Sequence, residues 1–133
     1  LINSTPIETT DKKLMTVFGP RNGKFDSDLV EPGPPAMLTG KGIVLLYNSR
    51  NILAKGDISL PEHTYTASQI LLDANDPSKV LDRMDTYFIK PDKPYEITGQ
   101  VNQGCFIEGL VNFKDRWYLY YGTADSKIAV AVK

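Results

Sequence analysis

The sequence predicts an all-β fold assembled from propeller-type blades, and three observations carry that expectation. Apolar residues fall in short runs rich in β-branched and aromatic side chains, bounded by Gly, Pro, Asn and Asp clusters, as in residues 43–48, 65–72 and 117–122. Almost no stretch shows a helical apolar period. The chain also repeats itself: Gly42-Ile43-Val44-Leu45-Leu46-Tyr47-Asn48 falls on Arg116-Trp117-Tyr118-Leu119-Tyr120-Tyr121-Gly122 at an offset of 74 positions, and Pro34 falls on Glu108. The unit is strand, tight turn, buried strand, loop, strand, and repeats of a few strands each mark propeller blades. The 133 residues hold one whole blade (34–91), most of the next (104–133) and the end of a preceding one (1–18). Closure takes roughly four to eight blades. About two blades alone would leave sheet faces and edges bare, so the remainder of the propeller, or other chains, is expected to complete the fold.

In order, residues 1–8 read as the end of a strand, residues 9–13 as a polar turn, and Leu14-Met15-Thr16-Val17-Phe18 as a short strand. Gly19-Pro20-Arg21-Asn22-Gly23 is loop punctuation. Residues 25–36 then pack the carboxylates Asp26, Asp28 and Glu31 ahead of Pro32-Gly33-Pro34-Pro35. Proline fixes φ and pushes the preceding residue towards extended geometry, so Glu31 is held on a stiff entry to a strand. Residues 35–38 and 43–48 form a hairpin whose second arm is almost continuously apolar, as a strand buried on both faces is. Residues 49–64 are a long polar connection, and loops of that length in a compact domain are usually functional or disordered. Residues 65–72 are the next strand. Asp73-Ala74-Asn75-Asp76-Pro77 is a plain turn, since it lacks the Gly and terminal Glu of a calcium loop. Residues 80–84 and 87–89 make an outer strand ending at Pro91. The second cycle runs 106–113, a turn at 114–116, then 117–122 and 128–132.

Composition bounds the function. The charged and apolar fractions are those of a globular protein, and the net charge of −1 comes with scattered Lys and Arg. Nothing points to nucleic acid or an anionic membrane surface. No apolar run reaches the ~20 residues of a membrane span, and no basic-then-apolar leader opens the numbered residues. Leu1 is not an initiator Met, so a processed or partial product is expected, and the compartment is left open. One cysteine, Cys105, and one histidine, His63, exclude an internal disulfide and a Cys- or His-rich metal site; both read as structural. No metal or other cofactor is expected.

A propeller's inner strands line its channel, so Glu31, leading into one inner strand, and Glu108, on the next, are expected to converge although 77 positions separate them. Paired carboxylates serve glycoside hydrolysis: one protonates the leaving oxygen, the other activates water or attacks carbon. Tyr65, after the long loop, is the better candidate for stacking on a sugar, whereas Trp117, Tyr118, Tyr120 and Tyr121 on one strand read as core. Asp125 follows a strand end, where a short acid fixes a turn or a hydroxyl. Arg21 either pairs with Asp26 or Asp28 at the surface or reaches the cavity. An oligosaccharide is the expected partner. A non-catalytic carbohydrate-binding propeller fragment is the alternative from a different class.

Several motifs in order resemble glycoside hydrolase family 130: residues 28–36 (Asp-Leu-Val-Glu-Pro-Gly-Pro-Pro-Ala), Leu45-Leu46-Tyr47-Asn48, residues 71–81, and residues 120–131 beginning Tyr-Tyr-Gly-Thr-Ala-Asp. The resemblance runs along nearly the whole chain but covers only the C-terminal portion of a typical member. It implies a five-bladed β-propeller and activity on β-mannosides, as a phosphorylase or a β-mannosidase. Phosphorylases of that family tend to carry Gly-x-Gly-Pro-Pro-Pro, then Tyr-His-Gly, and often Pro-Cys-Gly. Here Glu31 replaces the first glycine, Asn48 the histidine, and Ile107-Glu108-Gly109 stands near the third motif. A carboxylate where a dianion should sit repels it and suits activation of water. The resemblance therefore implies an inverting hydrolase with Glu31 as the water-activating base and Glu108 as its partner. Arg21, Asp28, Asn48, Tyr65 and Asp125 are the candidate substrate contacts. The acid assisting departure of the leaving group would lie outside these residues, so this stretch alone is expected to be inactive. A phosphate-dependent β-mannoside phosphorylase is the alternative within the family.

Overall fold

Residues 4–133 are described in a computed structural model of the chain, and they form two antiparallel sheets packed side by side. The first sheet contains β1 (Leu29–Pro32), β2 (Met37–Thr39), β3 (Gly42–Arg50), β4 (Tyr65–Leu72) and β5 (Val80–Arg83). Its order is β1-β3-β4-β5, with β2 also paired to β3. A single-turn helix, α1 (Pro94–Ile97), precedes the second sheet of β6 (Cys105–Phe113), β7 (Arg116–Thr123) and β8 (Lys127–Val132). The described residues form no closed ring. No helix among them is long and apolar enough to cross a membrane.

The internal repeat is visible in the ladders. Met37 pairs with Val44, and 74 positions on Val111 pairs with Tyr118. The two units differ at the inner edge. Pro32, Pro34 and Pro35 supply no N–H to a ladder, so the inner edge of the first sheet is broken into β1 and β2, whereas β6 runs through. Glu31 thus lies on a strand of the first sheet, paired opposite Asn48, rather than on a lead-in ahead of Pro34. Gly33 keeps the break in place: its N–H reaches the Leu46 carbonyl at 3.0 Å. A Cβ there would come within 2.9 Å of the Ile107 side chain and 3.1 Å of the Leu46 carbonyl, so any larger residue would force the junction with β6 to shift.

As its apolar run predicts, β3 buries both faces. Tyr47 joins Phe25, Leu60, Ile70 and Leu72 in one cluster, while Leu46 joins Ala67, Cys105, Ile107 and Tyr121 in a second cluster between the sheets. The loop ahead of β1 is anchored by Asp26, which is fully buried. Its carboxylate accepts from Arg21, Arg83 and the Tyr47 hydroxyl. Removing one partner of such a buried charge cluster typically costs about 3–5 kcal/mol.

Several expectations are corrected. Residues 14–18 are not a strand; Leu14 makes only an isolated bridge to Glu8, and Phe18 instead sets its ring edge-on to Tyr47 at 5.2 Å. The strand expected over residues 1–8 lies partly outside the described residues, and residues 4–8 contain no strand. Residues 87–89 do not extend β5; Ile89 bridges back to Ala67. The outer face of the second sheet leaves Phe113, Ile128, Val130 and Val132 at least half exposed.

Candidate functional site

A cleft of about 350 Å³ opens where the two sheets meet, and it gathers Glu31 from β1, Tyr65 from the start of β4, Phe106 and Glu108 from β6, and Asp125 from the β7–β8 turn. Val101 and Gly104, from the loop after α1, close one side. Four of the residues singled out in the sequence therefore share one wall-to-wall space. Among the described residues, none that lines it is basic. Among the described residues, the carboxylates of Glu31, Glu108 and Asp125 hold no hydrogen bond or ion pair. A larger groove of about 620 Å³ continues from Phe106, Glu108 and Asp125 along the second sheet, past Tyr120, Lys127 and Ile128.

Local backbone rules aim each acid. Glu31 is extended because Pro32 follows it. Glu108 is the extra residue of a bulge: Ile107 pairs with Tyr121 and Gly109 with Tyr120, so Glu108 has no partner and its side chain turns out to solvent. Asp125 lies in the three-residue β7–β8 loop (124–126), where the Ser126 N–H closes a turn on the Thr123 carbonyl at 3.0 Å and Ala124 and Asp125 take left-handed φ of 47° and 51°. Without glycine that geometry persists only where the surroundings over-determine it. Here the Ala124 N–H donates to the Gly104 carbonyl at 2.9 Å and the Val101 N–H to the Ala124 carbonyl at 3.2 Å. Tyr65 tilts against Phe106 at 6.0 Å between ring centroids, and its hydroxyl accepts from Arg50.

The remaining candidates lie behind this wall. Asp28 does not line the cleft; it pairs with Arg50 at 2.5 Å and so holds the group that holds Tyr65. Arg21 takes the first of its two alternatives: its guanidinium bonds to Asp26, the Met84 carbonyl and Asp85, and it does not line the cleft. Asn48 does not line the cleft either; it is wholly buried and its amide pairs with the backbone of Ile107. Cys105 is buried, and that burial pushes its thiol up to about 12. His63 is exposed, 3.6 Å from Glu62. No cluster of three or more metal-binding side chains occurs among the described residues.

Two supporting residues carry no signal in the sequence. Arg50 reads as one more surface cation, and only the fold sets it over the Tyr65 ring, 5.6 Å from the centroid. Glu96, in α1, is buried and accepts from the N–H groups of Asp92 and Lys93 and from the Tyr121 hydroxyl at 2.7 Å. Burial pushes its carboxyl up, but those three donors outweigh it and hold the group below its ordinary range. The neighbouring Tyr121 hydroxyl is pushed up by burial and by that carboxylate. Glu96 pins α1 to β7 and, through its carbonyl, accepts from Gly104 N–H at 2.9 Å, which fixes the loop bounding the cleft.

Two antiparallel sheets with an acid-lined cleft at their junction place the described residues in the all-β class. A family model described as beta-1,4-mannooligosaccharide phosphorylase matches residues 8–133, and the chain belongs to this family, glycoside hydrolase family 130. It is 32% identical to a beta-1,2-mannobiose phosphorylase of Listeria innocua, over 85% of this chain and 29% of that protein. A beta-1,2-mannobiose phosphorylase of Thermoanaerobacter sp. is 30% identical over 86% of this chain and 35% of its own length. Among solved structures, a putative glycoside hydrolase from Bacteroides ovatus is 52% identical with a TM-score of 0.91, covering 96% of this chain and 38% of that one. Another, described in terms of the GH130 family of mannoside phosphorylases containing glycoside hydrolases that target beta-1,2 mannosidic linkages in Candida mannan, is 50% identical with a TM-score of 0.94 over 96% and 36%. The chain spans about a third of the length of the curated relatives it matches.

Proposed function

We propose that the protein to which this chain belongs cleaves β-linked mannosides, with water as the acceptor and inversion at the anomeric carbon. The observation that carries this reading is the meeting of Glu31 and Glu108 in a cleft where, among the described residues, no basic one joins the lining. Anionic walls raise the cost of bringing in a phosphate dianion, whereas an unpaired carboxylate is free to take a proton from water. In the proposed step Glu31 takes that proton, the new C1–O bond forms, and the bond from C1 to the leaving sugar's oxygen breaks. That oxygen receives a proton from an acid outside residues 1–133. Glu108 holds or polarises the water opposite Glu31, Asp125 is placed to bond a sugar hydroxyl, and Tyr65 offers a ring to stack on. The remaining blades, from the rest of the protein or from partner chains, would complete the channel around this wall.

A phosphorylase is the second reading, and the names favour it: the family description and the curated relatives all speak of phosphorylases. Phosphate would then have to be held by cations outside the cleft lining; Lys127 in the adjoining groove is one within this chain. Incubating the intact protein with β-1,2-mannobiose, with and without inorganic phosphate, separates the two. Free mannose formed at the same rate without phosphate supports hydrolysis. Mannose 1-phosphate formed only when phosphate is present overturns it in favour of phosphorolysis.

A further inference from the structure

We infer that Asn48 is the positioning residue that fixes Glu31 and Glu108 relative to one another. The inference rests on the reading of those two glutamates as the working pair. Asn48 stands directly opposite Glu31 in the β1–β3 ladder. Its side chain crosses to the other sheet, where Oδ1 accepts from the Ile107 N–H at 2.7 Å and Nδ2 donates to the Ile107 carbonyl at 2.9 Å. Ile107 is the residue before Glu108. One side chain therefore links the strand partner of one acid to the chain neighbour of the other. Nδ2 also lies 3.4 Å from the carbonyl of Pro32, the residue after Glu31.

The chemistry of the link is specific. β6 is an edge strand, so the Ile107 N–H and C=O that face away from β7 have no ladder partner. A primary amide offers one acceptor and two donors with the spacing of a peptide group, and Asn48 completes the edge as another strand would. An ionised Asp could accept but not donate, and an apolar residue would leave both buried groups unpaired. Glu108 sits on a bulge with no ladder partner of its own, so its direction depends on how firmly Ile107 is held. The same junction is drawn tight by Gly33, against which the Ile107 side chain rests.

The test compares Asn48→Ala, Asn48→Asp and Thr66→Val in the intact protein, with Glu31→Gln and Glu108→Gln alongside. Each is assayed on β-1,2-mannobiose for kcat, KM and melting temperature. Thr66 shares a buried hydroxyl pair with Ser49 in the same sheet, and its hydroxyl makes no hydrogen bond to β6; it controls for lost stability alone. A misplacement on the order of 1 Å can cost roughly a hundredfold in rate. Asn48→Ala is expected to lower kcat tenfold to a hundredfold, by that reasoning, with KM changed less than about twofold, while Thr66→Val loses stability and keeps kcat. Asn48→Asp should recover activity relative to Asn48→Ala as the pH falls, because the protonated acid regains a donor for the Ile107 carbonyl. If the glutamate variants are inactive but Asn48→Ala keeps wild-type kcat at a lowered melting temperature, the positioning role is overturned and the functional reading stands. Glutamate variants that retain activity overturn the reading itself and the inference with it.

Discussion

At the scale of single residues, the site depends on acids whose surroundings differ sharply. Glu31, Glu108 and Asp125 reach the cleft unpaired, while Asp26, Asp28 and Glu96 are consumed in holding the walls. Glu96 gives a pH signature. Its carboxyl is held below the ordinary value of 4.5 in the fold, so its ionised form stabilises the folded state above that value, and the contribution is lost as pH falls through the depressed one. The melting-temperature gap between the wild type and Glu96→Gln should therefore be widest near neutrality and shrink in acid. A gap that stays constant from about pH 7 down to pH 3 would contradict the assignment, since that window spans the ordinary carboxylate range. Of the individual residues, Glu31 and Glu108 were singled out in the sequence because the inner strands of a propeller face its channel, and both line the cleft. Asn48 was not legible in its role. A polar residue in an apolar strand reads equally as a ligand contact or as a clamp, and only the position of Ile107 distinguishes them.

At the scale of elements, the strands with strong local signals appear where the pattern puts them. The alternation and β-formers of residues 65–72 coincide with β4, and the aromatic run of residues 117–122 lies within β7. β1 was hidden because Pro32 ends it after four residues and the acids beside it mimic a loop. α1 was hidden because a single turn beginning at Pro94 is too short to show a period. Residues 14–18 show the opposite error: their apolar character serves packing, as Phe18 does on Tyr47, with no strand beside them to complete a ladder. The junction between β1 and β6 is the element-level feature most open to test. A methyl group at Gly33 would meet Ile107 at 2.9 Å and the Leu46 carbonyl at 3.1 Å, and overpacking of this kind costs about 1–3 kcal/mol. Gly33→Ala is expected to lower stability by that order in denaturant unfolding, and an unchanged midpoint would show that the two sheets are not in close contact there.

At the scale of the molecule, the internal repeat made the blades readable, since the 74-residue offset that aligns the sequence also aligns the paired residues of β2–β3 with those of β6–β7. Among the described residues, the second sheet also leaves an apolar face uncovered. Ile128 is 82% exposed and Val130 53%, more than a lone soluble face tolerates without association. Residues 1–133 produced alone should self-associate in sedimentation, and Ile128→Lys with Val130→Lys should reduce this; monomers at high concentration without those changes would argue that nothing covers the face. Turnover of a β-linked mannobiose by the intact protein carrying Glu31→Gln, measured without added phosphate, tests the role given to the cleft acids. Loss of a proton-transfer carboxylate is expected to lower kcat by roughly 10²–10⁴-fold, with the fold unchanged. Turnover equal to the wild type would remove Glu31 from the chemistry and contradict the account.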